Sequence, residues 1–327
     1  MAALSSLSLA TRSSMTRALV FPGQGSQSVG MGRDLADGFA AAREVFAEID
    51  EALGQKLSQI IFEGPESALT LTENAQPALM AVSLAVLRVL EREGGLDLQR
   101  ACAFVAGHSL GEYSALAASR AVTIADAARL LKKRGQAMQL AVPVGAGAMA
   151  ALLGLELDAA REIAAAAAQG QVCSAANDNA AGQVVVSGDK AAVDRAVALA
   201  AERGARRSIL LPVSAPFHCA LMAPAAAVMQ EALAATAIAP PIVPLIANVT
   251  AAPVSDPAAI RARLVEQVTG LVRWRESVLA MKALGVDSLV EIGAGKVLAG
   301  LTKRIDREMS AVSIQGPADI EAFLKTL

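Results

Sequence analysis

Residues Ala101–Ala106 (ACAFVA) run directly into Gly107-His108-Ser109-Leu110-Gly111, and the reading of this stretch decides the fold. A continuous apolar run of strand length, bounded by glycine, predicts a strand buried on both faces. The turn and the helix-forming residues behind it complete a strand–turn–helix unit, the building block of α/β proteins. The GxSxG spacing has a physical reason. A nucleophile on a tight strand-to-helix corner needs small residues two positions to either side, because larger side chains would strike neighbouring backbone. The corner lifts the Ser109 hydroxyl into the open and aims helix N–H groups at the reacting oxygen. Glycine and serine are common, so the pattern alone is weak. Its place between a predicted strand and a predicted helix makes Ser109 a candidate nucleophile rather than a structural turn serine.

Working outward, Arg17–Phe21 (RALVF) reads as a short buried strand stopped by Pro22-Gly23-Gln24-Gly25. From Asn74 to Glu93, Leu79, Val82, Val86, Leu87 and Leu90 follow helical spacing until Gly94-Gly95. The middle of the chain reads differently. Ala148–Leu153 predicts a strand, Asp158–Ala168 a helix, and Gln171–Ala175 and Gln183–Ser187 two strands joined through the turn formers Asn177 to Gly182. Lys190–Arg203 then reads as a helix and Arg207–Val213 as a closing strand. This β-α-β-β-α-β order is the ferredoxin-like pattern. Lying between Pro143 and Pro216, it is expected to form an inserted small domain, residues 143–213, in a large α/β domain built from 16–142 and 214–327. Ile242–Asn248 and Ser288–Ile292 return to buried-strand character and are expected to rejoin the large sheet.

Composition limits the classes of function. The 327 residues are 54% apolar and 18% charged, which excludes a disordered chain and leaves ample material for a core. With 29 basic and 31 acidic residues the net charge is −2, so no global basic field for nucleic acid exists. Cys102, Cys173 and Cys219 lie far apart without a CxxC pair, which argues against a disulfide framework or a cysteine metal site and fits a reducing compartment. Residues 135–155, 208–230 and 232–255 carry no Asp, Glu, Lys or Arg, yet prolines interrupt each of them. They read as buried soluble segments, and no membrane span is expected. The first fourteen residues are Ser/Ala-rich with one Arg and no acid, a weakly transit-like composition. Residues 1–15 are expected to be a disordered extension ahead of a natural start at Met15, and a cytoplasmic location is preferred to a mitochondrial one.

A serine hydroxyl needs a base. Only His108 and His218 are available, and His108 is expected to project elsewhere because it shares the turn with Ser109. That leaves His218, in Ser214-Ala215-Pro216-Phe217-His218. No acidic residue announces itself as a third member; a backbone or amide carbonyl suffices to fix the imidazole tautomer. Two glycine-rich stretches fail as nucleotide loops. Gly23-Gln24-Gly25-Ser26-Gln27-Ser28 lacks the third glycine of a dinucleotide fingerprint, and Gly293-Ala294-Gly295-Lys296-Val297 lacks the earlier glycine and following Ser/Thr of a phosphate-binding loop. In the first, free backbone N–H groups can serve an oxyanion.

Phe21-Pro22-Gly23-Gln24-Gly25-Ser26-Gln27, Gly107 to Tyr113, Arg134-Gly135-Gln136-Ala137-Met138-Gln139, Phe217-His218 and Glu291 to Leu298 stand in one order. Together they resemble the malonyl-CoA:acyl carrier protein transacylases, over about residues 16–315. The resemblance implies a hydrolase-like α/β domain with a central, mainly parallel sheet and a ferredoxin-like insertion. It implies a bacterial enzyme, Ser109 as nucleophile and His218 as base. The Gln24 and Leu110 N–H groups would form the oxyanion hole, and Arg134 would bind the malonyl carboxylate. Gln267, ahead of Arg273-Trp274, would orient His218 through its main-chain carbonyl, while Met138, Asn179 and Phe217 would line the pocket.

The physical case for Arg134 stands beside this, since malonyl differs from acetyl by one carboxylate, which a planar guanidinium grips with two parallel hydrogen bonds. The partners implied are malonyl-CoA and acyl carrier protein, the chemistry is ping-pong through a malonyl-serine, and no cofactor or metal is required. A monomer is expected. Arg203, Arg206, Arg207, Lys303 and Arg304 are candidates for a basic face toward an acidic carrier protein. The alternatives are a serine esterase or thioesterase, an acyltransferase domain of a polyketide synthase, and a non-catalytic docking module.

Overall fold

The computed structural model describes residues 16–327, and the expectations for residues 1–15 lie outside the described residues. In chain order the strands are β1 (Arg17–Phe21), β2 (Phe104–Gly107), β3 (Gly147–Leu153), β4 (Cys173–Ala180), β5 (Gln183–Asp189), β6 (Arg207–Leu210), β7 (Leu245–Ala247), β8 (Ala252–Val254), β9 (Ser288–Ile292) and β10 (Ser310–Ile314). Six form one sheet in the order β10-β9-β1-β2-β7-β8, parallel except for β8, which turns back on β7. β1 shows why these strands read as unbroken apolar runs. Leu19 and Phe21 pack into one core with the helix Thr72–Arg92, whereas Ala18 and Val20 face a second core around Trp274, Val278 and Leu298. With helices on both faces apolar residues are favoured at every position, and a polar one such as Glu291 of β9 is kept only by accepting from the N–H groups of Leu298 and Ala299.

The other four strands make a separate antiparallel sheet in the order β4-β5-β3-β6, the ferredoxin-like arrangement. Leu152, Val184 and Val186 pack on one face against Ile163 and Val193 of the two helices that cross it. From the opposite face Met149, Ala151 and Val185 join the large core. Strand β4 is tied to the rest of the chain at its edge. Asp178 N–H donates to Val272 O and Val272 N–H to Ala176 O, both at 2.9 Å. Arg275 reaches across the same seam to Asp178 and Glu156, each at 3.0 Å.

Two expectations need correction. Ala101 ends a short helix, Leu98–Ala101, whose first turn is capped by the Asp97 carboxylate, so β2 starts only at Phe104. Asn177, Asp178 and Asn179 belong to strand β4, with irregular register, and the turn is confined to Ala181 and Gly182. Their polar side chains read as a loop; Asp178 instead pairs with Arg275, Asn179 meets His108, and Asn177 lines the cavity.

Candidate active site

The site lies where the parallel strands end. Ser109 follows β2 and holds φ at 54°, the left-handed region that costs a side-chain-bearing residue about 1–3 kcal/mol. The two glycines of the motif explain how the corner closes. A Cβ on Gly107 would come within 1.9 Å of the Gly111 backbone, and one on Gly111 within 2.3 Å of Phe21 O. The corner is therefore pressed against the end of β1 and admits no side chain there.

Ser109 Oγ lies 2.8 Å from His218 Nε2, and His218 Nδ1 lies 2.8 Å from Gln267 O. A carbonyl only accepts, so Nδ1 carries the proton and Nε2 is left to accept from the serine. The histidine is 4% exposed and has φ of 58°. Burial, with the nearby Arg134 charge adding to it, lowers its pKa to about 3 and keeps the imidazole neutral. Among the described residues no carboxylate holds this histidine, unlike the triad expected of an esterase. His108 also lines the cavity, but no hydrogen bond joins it to Ser109: its Nε2 meets Asn179 Oδ1 at 2.9 Å and its ring packs 5.8 Å from Trp274.

Arg134 projects from the helix Ile124–Ala141 and is 1% exposed. Its Nη1 donates to Gln76 Oε1 at 2.9 Å, and its Nη2 to Gln267 Oε1 at 2.8 Å and Ser109 Oγ at 3.2 Å. Its Cζ also lies 5.7 Å from the centroid of the buried Tyr113 ring, so protein surrounds most of the guanidinium. Desolvation lowers the guanidinium pKa, but no ordinary pH discharges it.

A cavity of about 770 Å³ opens over these groups. Its wall includes Gln24, Leu110, Arg134, Phe217 and His218, together with Met149 and Asn177 from the antiparallel sheet. Met138 and Asn179 are corrections. Met138 is fully buried behind the wall, where its sulfur takes Gln76 Nε2, and Asn179 is engaged by His108. Among the described residues neither the Gln24 nor the Leu110 N–H has a partner, as an oxyanion hole requires. Ser109's own N–H is unavailable for that purpose, because it donates to Asn248 Oδ1 at 2.8 Å.

Sequence reasoning missed Gln76, Glu112 and Asn248. Asn248 brackets the corner, taking Ser109 N–H with its oxygen and giving its amide to Gly107 O at 2.7 Å. Glu112 was visible as one charge in an otherwise uncharged helix, Gly111–Ala118, and all eight residues of that helix are buried. Of the basic candidates, Arg203 is taken up by Glu162 and Arg304 by Gln183. Among the described residues no cluster of His, Cys, Asp or Glu could hold a metal, and no helix is long and apolar enough to cross a membrane.

The family model described as acyl transferase domain matches residues 18–317. A malonyl CoA-acyl carrier protein transacylase of Bacillus subtilis is 45% identical over 311 residues, covering 95% of this chain and 96% of that protein. Among solved structures, an acyl-carrier-protein-S-malonyltransferase from Bartonella henselae superimposes with a TM-score of 0.93 at 55% identity, covering 95% of this chain and 99% of its own. A malonyl-transacylase solved in complex with a type II polyketide synthase acyl-carrier protein gives 0.92 at 42% identity, covering 95% of this chain and all of the other.

Proposed function

The chain belongs to the acyl transferase family, and from that premise we propose that it transfers malonyl from malonyl-CoA to the phosphopantetheine thiol of acyl carrier protein through an ester on Ser109. One observation carries the choice of acyl group: a guanidinium 1% exposed, with Nη2 at 3.2 Å from the Ser109 hydroxyl. Burying a guanidinium beside a nucleophile is costly unless the substrate brings an anion to it.

His218 Nε2 takes the Ser109 proton as Oγ attacks the thioester carbonyl, and Nδ1 keeps its proton on Gln267 O. The negative charge that develops on the carbonyl oxygen falls between the Gln24 and Leu110 N–H groups. Collapse expels coenzyme A, which leaves with the proton from Nε2, and the malonyl carboxylate rests on Arg134. The carrier-protein thiol then gives its proton to Nε2 and attacks the ester, and Ser109 recovers a proton as it leaves. Thioester, ester and thioester follow in turn, so no step calls for redox chemistry.

In this reading residues 143–213 act as a small domain that walls the cavity, on a large domain of 16–142 and 214–327. A cytoplasmic place beside fatty-acid synthesis goes with it. The test is to mix the protein with malonyl-CoA, read its intact mass, then add holo acyl carrier protein. A malonyl adduct that moves to the carrier thiol is expected; an adduct that never forms, or that is lost only to water, overturns the reading.

A further inference from the structure

Behind the Ser109 corner a single residue touches Arg134, Ser109 and His218. Gln267 Oε1 accepts from Arg134 Nη2 at 2.8 Å, while its Nε2 donates to Ser109 O at 2.9 Å and to Glu112 Oε2. Its main-chain carbonyl holds His218. Glu112, 1% exposed, accepts on its other oxygen from the main-chain N–H of Asn248 at 3.3 Å. A carboxylate accepts on both oxygens and so satisfies both donors at once. An amide in its place would have to turn its NH2 against one of them. The Asn248 N–H is fixed in the backbone, so the Gln267 amide is the member that gives. Turned over, it would present NH2 to Arg134, donor against donor, and release the guanidinium from its aim.

We propose that Glu112 is a positioning residue for acyl-group choice: its carboxylate fixes which end of the Gln267 amide faces Arg134, and so holds the guanidinium where the malonyl carboxylate arrives. The inference rests on the reading of Arg134 given above. A plain counter-charge role for Glu112 would act with the opposite sign, since removing a negative charge near Arg134 strengthens its pull on malonate.

Burial pushes the Glu112 carboxyl up to about 8. Arg134, from the helix Ile124–Ala141, and Tyr113, on its own helix, are the charged or titratable groups that face it, and burial holds the Tyr113 hydroxyl up at about 12. Gln267 and Asn248, on the remaining sides, do not titrate. With His218 held at about 3, Glu112 alone changes state in the site across neutral to mildly alkaline pH. Below about 8 the carboxyl gains a proton, and one of its oxygens then has a hydrogen to place between the Gln267 and Asn248 donors, which weakens its hold on the amide.

The experiment measures kcat/KM for malonyl-CoA and acetyl-CoA from pH 6.5 to 9 on wild type, Glu112→Gln and Gln267→Met, the last keeping the main-chain carbonyl that holds His218. In wild type the malonyl-to-acetyl ratio should rise with pH by about tenfold, the worth of one charge-assisted hydrogen bond. In both variants the ratio should be flat and low, with the malonyl loss mainly in KM. A ratio that rises in Glu112→Gln, or malonyl and acetyl falling by one common factor, overturns the proposal. If Glu112→Gln does not fold, a pH-dependent ratio surviving in Gln267→Met overturns it. Wild type that takes no malonyl at all would sink the functional reading instead, so the two failures are distinct.

Discussion

The six-stranded and four-stranded sheets serve the same cavity in different ways. Gln24 lies just past the end of β1, Ser109 and Leu110 past β2, and Asn248 past β7, three neighbours in the parallel sheet. Parallel strands all finish at one edge, so loops remote in sequence meet there and their N–H groups converge. Antiparallel strands finish alternately at opposite edges, so no such gathering is possible in the β4-β5-β3-β6 sheet. That sheet contributes from its face instead: Met149 on β3 and Asn177 on β4 are walls of the cavity. The serine corner and the two free N–H groups thus belong to strand ends, Arg134 and Gln267 to helices, and part of the cavity wall to a sheet face. Ser109 and His218, both at positive φ, meet over the parallel sheet.

This division is open to attack by mutation, and the largest effect is expected at Ser109. Ser109→Ala should abolish covalent malonyl loading with the fold retained, checked by intact mass and circular dichroism; an adduct surviving on the variant would move the nucleophile elsewhere. His218→Ala should slow acylation by on the order of 10³ or more, seen in single-turnover quench, because the serine loses its base. Wild type also makes a pH prediction here. A base is active when neutral, and a pKa of about 3 keeps His218 neutral. Acylation should therefore show no loss between pH 7 and 5 from this group, whereas an unshifted histidine would cost roughly 30-fold by pH 5.

Arg134→Ala should lower malonyl transfer by about 10²–10³, from roughly 3–5 kcal/mol for a buried carboxylate without its partner. Acetyl transfer should hold level or rise, since the unpaired guanidinium is gone too. Equal losses for both thioesters would make Arg134 structural. The smallest effect on chemistry is expected at the seam. Arg275→Met leaves buried Asp178 without its cation, and burial already raises that carboxyl's pKa, so a proton can partly relieve it. Thermal stability should drop by several degrees, with the malonyl-to-acetyl ratio nearly unchanged. A collapse of the ratio would show that the antiparallel sheet does more than shape the wall.

Much of this arrangement was legible in the sequence where a local rule enforces it. The glycines around Ser109 are dictated by contacts of 1.9 and 2.3 Å that no Cβ survives, and both faces of β1 being covered forces an apolar run. The β-α-β-β-α-β order was legible because each element carries its own periodicity. What failed was reading the partner of a polar residue. Asn177, Asp178 and Asn179 have the composition of a turn, yet Asp178 pairs with Arg275 and Asn179 with His108, far along the chain. Gln76, Glu112 and Asn248 left no periodic trace either, because their hydrogen bonds exist only once distant strands lie side by side. Even Met138 looked like a pocket residue, when one helical turn from Arg134 it packs behind the wall.

The distance along the chain between Ser109 and the residues that hold it has a consequence for the life of the chain before it is complete. During synthesis Ser109 emerges long before His218, Asn248 and Gln267. A nascent chain ending short of residue 218 carries the hydroxyl without a base, and one ending short of 248 has nothing to take the Ser109 N–H and brace the corner. In the reading proposed above, thioester cleavage would then wait until β7 has docked beside β2, and unfinished or partly melted molecules would waste no coenzyme A thioester. Acylation of Ser109 is, in effect, a report that the strands have found one another.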